Sequence, residues 1–175
     1  LADPAFSYIP VATTFVLPRE TFSQAAATGI VNLATDNGGT PRFAPLIFRT
    51  SDRIEISFPL QTTSLALGAA PAFTQGEVAL ADKRIVTDIG QRLPISYYGP
   101  RGTIETVSAA SALSGKLTEA RVRGRIVVIG ATVIGSGDVF STPFDPVLPG
   151  VEVVSTVISN MVGADGLVRD RQTRR

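Results

Sequence analysis

The chain has 175 residues, with 44% hydrophobic and 18% charged residues and a formal net charge of +1 from 16 Lys+Arg against 15 Asp+Glu; its mean hydropathy is +0.24. It is too apolar to be disordered and long enough to bury roughly 70% of its unfolded surface without staples. It is too nearly neutral to draw nucleic acid by an overall field. With no Cys and no His, disulfides, thiolate nucleophiles, Ser-His-Asp and Cys-His catalysis and ordinary zinc sites are excluded.

The first residue is Leu1, with no basic or apolar leader before Ala2-Asp3-Pro4. The sequence therefore reads as a processed or excised piece, any targeting segment lying outside it. Residues 6–17 are β-branched and aromatic with Pro10 among them, which predicts an edge strand or two short strands. Residues 20–27 predict a short helix stopped by Gly29. Residues 30–34 and 43–48 flank Asp36-Asn37-Gly38-Gly39, turn formers that supply φ > 0, and so predict a hairpin. After a turn at Ser51-Asp52, residues 53–57 alternate polar and apolar as a half-buried strand does. An antiparallel meander is expected here.

Phe58-Pro59-Leu60 opens a helix with Pro near its first position, and Leu60, Ser64, Leu65, Leu67 and Gly68 give it an apolar, small-residue face. Residues 78–80 and 85–86 flank Asp82-Lys83-Arg84, a second hairpin, and residues 93–98 predict a strand ending at Gly99-Pro100. Residues 107–113 predict a helix that ends at Gly115. Residues 125–130 are a nearly continuous apolar run, the mark of a strand buried on both faces. A Gly- and Pro-rich loop over 131–150 leads to an amphipathic helix over 151–162, with Val151, Val154, Ile158, Met161 and Val162 at helical stride and Gly163 as its cap. This βαβα order favours parallel pairing of residues 94–98 with 126–130. The expected fold class is α/β (mixed): one domain over 1–175 with a central mixed sheet and helices packed on it. The N-terminal half is an antiparallel meander and the C-terminal half is βαβα. No run of about 18 apolar residues is present to span a membrane.

Four clusters could carry chemistry. The first is the loop from Gly130 to Asp138 with Ser141-Thr142-Pro143 and Pro149-Gly150 beyond it, because open α/β sheets hold ligands at the carboxyl ends of their strands. Amides freed by Gly135 and Gly137 would cradle an anion, with Asp138 as a cation or hydroxyl contact. The glycine spacing is not that of a nucleotide motif, and a tight loop packed on the strand end accounts for the same residues. In the second, Asp36 to Arg42, the acidic and glycine content suggests a calcium loop but the spacing is wrong. Pairing of Asp36 with Arg42 across the turn is expected instead. The third, Tyr97-Tyr98-Gly99-Pro100-Arg101-Gly102, either presents aromatics to a ligand or holds one buried and one half-exposed ring. The fourth, Arg121, Arg123 and Arg125 with Arg169, is an anion patch or simply a solvated side. The candidate ligand-binding residues are therefore Tyr98, Asp138, Thr142, Gly135 and Gly137. Neither Lys83 nor Lys116 lies in an apolar surround, and no carboxylates form a dyad motif. The residues by themselves give a binding or structural domain with no catalytic residue, metal or cofactor.

Several of these segments fall in the order of a known family. Gly124-Arg-Ile-Val-Val-Ile-Gly-Ala-Thr132, Gly135-Ser-Gly-Asp138, Ser141-Thr-Pro143, Leu148-Pro-Gly-Val-Glu-Val153 and Gly166-Leu-Val-Arg169 resemble the end of the CHASE2 family. Asp36-Asn-Gly-Gly-Thr-Pro-Arg-Phe-Ala-Pro-Leu46, Phe58-Pro-Leu60, Leu65-Ala-Leu67 and Ile95-Ser-Tyr-Tyr-Gly-Pro100 match it further upstream. The resemblance covers residues 28–169. It gives Asp36, Gly39, Arg42, Gly99, Pro100, Gly130, Pro143, Pro149 and Gly150 the standing of family signature residues. The chain departs from the pattern at Ser155-Thr156, where the family carries Asn or Ala-Asn, and the family's usual first strand and helix are largely absent or lie upstream of Leu1.

The resemblance implies an extracytoplasmic sensor domain of a bacterial transmembrane receptor, on the periplasmic or extracellular face of the inner membrane. Membrane helices would stand on either side, with residues 170–175 a basic juxtamembrane tail. The output module implied is an adenylate or guanylate cyclase first, then a histidine or serine/threonine kinase. The partner would be an extracytoplasmic small molecule or protein, with no nucleic acid. Two other readings stay open: a homodimerisation scaffold of the same receptor, and a Mg²⁺-dependent small-molecule enzyme using Asp138.

Overall fold

Hydroxyl caps and glycines set the helix limits in the computed structural model, which describes residues 7–14, 16–132 and 138–163. The first helix, α1 (Glu20–Ser23), is shorter than its expected span and has no buried residue. Short strands follow: β1 (Phe43–Pro45), β2 (Ile47–Arg49) and β3 (Ile54–Ile56). Helix α2 (Phe58–Leu67) begins where the Ser57 hydroxyl accepts the Leu60 N–H and stops at Gly68, whose φ of +62° suits the residue without a Cβ. Strands β4 (Ala72–Thr74), β5 (Glu77–Leu80), β6 (Lys83–Val86) and β7 (Arg92–Pro94) precede helix α3 (Ala109–Leu113). The hairpin β8 (Val139–Phe140) and β9 (Leu148–Pro149) runs into α4 (Gly150–Gly163).

The core lies where α2 packs on α4 and both meet the strands. Leu46, Leu60, Val78, Leu80, Leu93, Leu148, Val153, Val157 and Met161 are fully buried there. On α2 the buried residues are Pro59, Leu60 and Thr63, whereas Leu65, expected on the apolar face, is exposed. The stride from Leu60 runs to Thr63 because the Thr63 hydroxyl bonds the Pro59 carbonyl at 2.9 Å and so needs no water. On α4, burial extends to Glu152, Thr156 and Asn160 as well as the valines. Two of its polar residues satisfy themselves along the helix: Ser155 Oγ donates to the Val151 carbonyl and Thr156 Oγ1 to the Glu152 carbonyl.

The α/β class holds, but the single mixed sheet is replaced by four small antiparallel sheets among the described residues. The meander survives as β2–β3, with Ile47 opposite Ile56, and as β4–β5–β6. The expected hairpin of 30–34 with 43–48 does not form. β1 pairs instead with β7, Ala44 opposite Leu93, both fully buried; residues 31–34 stay outside the sheets and only Ile30 bridges to Ser57. A ladder forms where it buries side chains, and Val31 is left with no apolar face to cover it. Residues 7–14 likewise give no strand, only a bridge between Val11 and Arg49.

The largest departure is at 126–130. No strand is assigned there, none of these residues makes a backbone hydrogen bond within the described chain, and Val127 is 59% and Ile129 93% exposed. The expected parallel neighbour is engaged elsewhere. The Asn160 side chain occupies the edge of the 95–98 segment at Ser96. No described helix is long and apolar enough to cross a membrane.

Candidate functional site

Beyond β7 the two neighbouring tyrosines reach different partners. Tyr97 turns inward and its hydroxyl donates to the Pro41 carbonyl at 2.7 Å. Burial pushes its phenol up to about 12. Because the folded state then holds the proton between pH 10 and 12 while the unfolded chain releases it, this contribution to stability is complete below pH 10. It is lost as pH rises through about 12. In an alkaline absorbance titration, Tyr97→Phe is expected to remove the ionisation near 12 and to flatten the fall in stability above pH 10. Loss of an ionisation near 10 instead would place Tyr97 in solvent.

Tyr98 faces α4. It is 40% exposed, and its hydroxyl donates to Ser159 Oγ at 3.1 Å while accepting from Asn160 Nδ2 at 2.9 Å. Asn160, 1% exposed, also closes a pair of bonds on the Ser96 backbone. Its Oδ1 accepts the Ser96 N–H at 2.9 Å and its Nδ2 donates to the Ser96 carbonyl at 3.1 Å. The side-chain amide thus takes the place of a neighbouring strand.

Beyond Tyr98 the chain turns at Pro100, whose carbonyl accepts from Thr103 N and Oγ1. A Cβ on Gly99 would lie 2.6 Å from that Thr103 oxygen, and Gly102 sits at φ +86°. The turn aims its amides at two carboxylates. Arg101 N donates to Asp145 Oδ2 at 3.0 Å; Gly102 N and Ile104 N donate to Glu152 Oε1 at 2.8 and 3.3 Å. Glu152, on the first turn of α4, is 7% exposed. The Asp145 carboxyl is held below the usual carboxylate range, first by the Val147 N–H and then by that of Arg101.

The other clusters are internally neutralised. Asp36 Oδ1 accepts from Gly38 N and Thr40 N, and Oδ2 pairs with Arg42 Nε at 2.5 Å. Its carboxyl lies below the usual range, chiefly through Thr40 and then Arg42. The expected pairing across this turn is therefore present, with Gly39 at φ +77°. Arg121 and Arg125 both pair with Glu105, and Arg123 pairs with Glu119. Arg169 and the tail 170–175 lie outside the described residues. Among the described residues no group of three acidic side chains is placed to hold a metal ion.

The turn at 99–104 and the start of α4 are two of the segments that matched a known pattern, and here they bind each other. The CHASE2 domain model matches residues 5–174. The chain belongs to the CHASE2 family. CHASE2 domains are extracytoplasmic sensors of signalling receptors and are sensory rather than catalytic. No curated protein and no solved structure matches the chain.

Three of the candidate ligand-binding residues of this CHASE2 domain, Tyr98, Asp138 and Thr142, lie among the described residues. Tyr98 is bound to α4. The Thr142 hydroxyl is consumed by its own turn, donating to the Asp145 carbonyl and accepting from Asp145 N. Asp138 is exposed, and its backbone carbonyl accepts the Gly150 N–H at 2.8 Å. Gly135 and Gly137 lie outside the described residues. Several signature glycines serve close packing: a Cβ at Gly130 would lie 2.7 Å from Val151 Cβ, and one at Gly150 would lie 3.3 Å from Asp138 Cβ. Pro149 is buried in β9, while Pro143 is exposed in the Thr142 turn.

Sequence reasoning missed Glu152, Asn160 and Asp145. The signal for the first two was present in CHASE2 helix α4. Glu152 interrupts Val151, Val153 and Val154, and Asn160 stands beside Met161, so both polar groups fall on a helix buried nearly all round.

Proposed function

We propose that this CHASE2 domain senses a signal on the periplasmic side of the inner membrane for a bacterial transmembrane receptor. Signal binding is passed to a cytoplasmic output module through the position of α4. The module is an adenylate or guanylate cyclase first, a histidine or serine/threonine kinase otherwise. The observation that carries this reading is the bonding of the segment 96–104 to the buried polar residues of α4, Ser96 to Asn160 and the exposed turn to Glu152. Among the described residues α4 is also the last element, and the basic sequence 169–175 follows it in the chain. A signal does this only by binding two arrangements of the domain unequally. The signal is a small molecule or a protein; no nucleic acid is involved.

The test is a thermal-shift screen of the chain against carboxylates, nucleotides, divalent cations, sugars and cell-wall fragments. A ligand at 100 times its Kd adds about 2.7 kcal/mol, an easily read shift. Tyr98→Ala and Asp138→Ala then locate the site of any hit. With the hit bound, the distance between spin labels on α4 and β5 is expected to change; an unchanged distance would remove the relay.

Dimerisation is the second reading, favoured by the exposed apolar side chains Leu113, Val127 and Ile129. Sedimentation showing a monomer at all concentrations would count against it. The Mg²⁺ enzyme built on Asp138 finds no support in a sensory family.

A further inference from the structure

Burying a carboxylate or a carboxamide is costly unless its hydrogen-bonding groups are met. On α4 two such residues are met by the same stretch of backbone. Glu152 takes the Gly102 and Ile104 amides, and Asn160, eight residues further on, takes both backbone groups of Ser96. At 1.5 Å rise per residue these contacts lie about 12 Å apart along the helix axis. The strap 96–104 therefore runs antiparallel to α4 and is fastened at both ends. One tether would leave the helix free to pivot; two set its axial position and its rotation together. Between them Tyr98 adds a third contact, and the Pro100–Thr103 turn is stiffened by its own hydrogen bonds.

We infer that Glu152 and Asn160 are positioning residues forming a two-point latch, through which the strap 96–104 fixes the register of α4. This rests on α4 as the relay and names the device that controls it. The bonds go to strap backbone, while the exposed side chains hold other partners: the Arg101 guanidinium reaches the Val147 carbonyl at 3.5 Å and the Thr103 hydroxyl closes the turn on Pro100. Because coupling is reciprocal, loosening either end loosens the other.

Amide hydrogen exchange on the 175-residue chain tests this without any signal, so its failure and the failure of the sensor reading are distinguishable. Glu152→Met removes the acceptor while keeping volume, and Glu152→Gln keeps an acceptor oxygen. In the Met variant, exchange at Gly102 and Ile104 is expected to quicken by about tenfold or more. Exchange at Ser96, at the far end of the strap, is expected to quicken with them while the amides of β5 keep their protection. In the Gln variant all three are expected to remain near wild type. Asn160→Leu is expected to reproduce the effect in reverse, quickening Gly102 and Ile104. Acceleration at Gly102 and Ile104 with Ser96 unchanged would show two independent contacts and overturn the latch. Equal acceleration at Ser96 and β5 would show general unfolding and overturn it too, as would no change anywhere.

Discussion

Replacing Asn160 with Leu is expected to cost about 3 kcal/mol and to lower the melting temperature by roughly 6–12 °C. The two side chains branch alike at Cγ and Leu is the larger, so none of this loss comes from a cavity. It comes from the Ser96 N–H and carbonyl, which the Asn160 amide serves together at 2.9 and 3.1 Å. Each buried backbone group left without a partner costs about 1–3 kcal/mol. Tyr98 also loses the Asn160 donor, but its hydroxyl keeps Ser159 and has access to water. Tyr98→Phe should therefore cost under about 1 kcal/mol. Chemical denaturation of both variants provides the measurement. If Asn160→Leu cost no more than Tyr98→Phe, Ser96 would be finding water, and α4 would not be pinning the 95–98 segment.

That contact also shows why part of this fold is legible in the sequence and part is not. Patterns whose cause is local were sufficient. Pro59 marks the start of α2, Gly115 follows α3, and alternation in 53–57 marks the strand facing β2. The run Ile126-Val-Val-Ile129 carries an equally strong pattern, yet the pattern reports a demand for burial and does not name the neighbour. The neighbour expected for it, 95–98, is claimed at Ser96 by a side-chain amide from residue 160, a pairing no periodicity encodes. The hairpin at 36–40 failed in the same way. Its turn is real and closed by Asp36, but the strand following it pairs with residues 92–94.

For the site, the motifs were legible while their roles were not. The pair Tyr97-Tyr98 reads either as aromatics for a ligand or as one buried and one half-exposed ring; the fold turns Tyr97 inward, leaves Tyr98 40% exposed and bonds the Tyr98 hydroxyl to α4. Thr142 stood in a conspicuous Ser-Thr-Pro sequence, whose purpose is to close its own turn. Glu152 lies within Leu148-Pro-Gly-Val-Glu-Val153, and the motif itself does not announce its role. A charged residue at a core position of an apolar helix is the physical cue, because it must find hydrogen-bond donors, and those are the amides at 102 and 104.

The seating of α4 depends in turn on α2, and two leucines on that helix measure it. Leu60 is fully buried and Leu65 is 63% exposed, although the sequence pattern alone assigns both to one apolar face. Leu60→Ala is expected to cost about 4 kcal/mol, combining lost transfer energy with the cavity left between α2 and α4. The melting temperature should fall by roughly 8–16 °C. Leu65→Ala should stay within about 0.5 kcal/mol, since its side chain already meets water. Urea denaturation of the pair gives both values under the same conditions. Similar losses in the two variants would mean that α2 is rotated from the orientation described, with Leu65 turned inward. In that case the buried Thr63 hydroxyl, now closed on Pro59, would face a different neighbour, and the surface against which α4 is held would have to be redrawn.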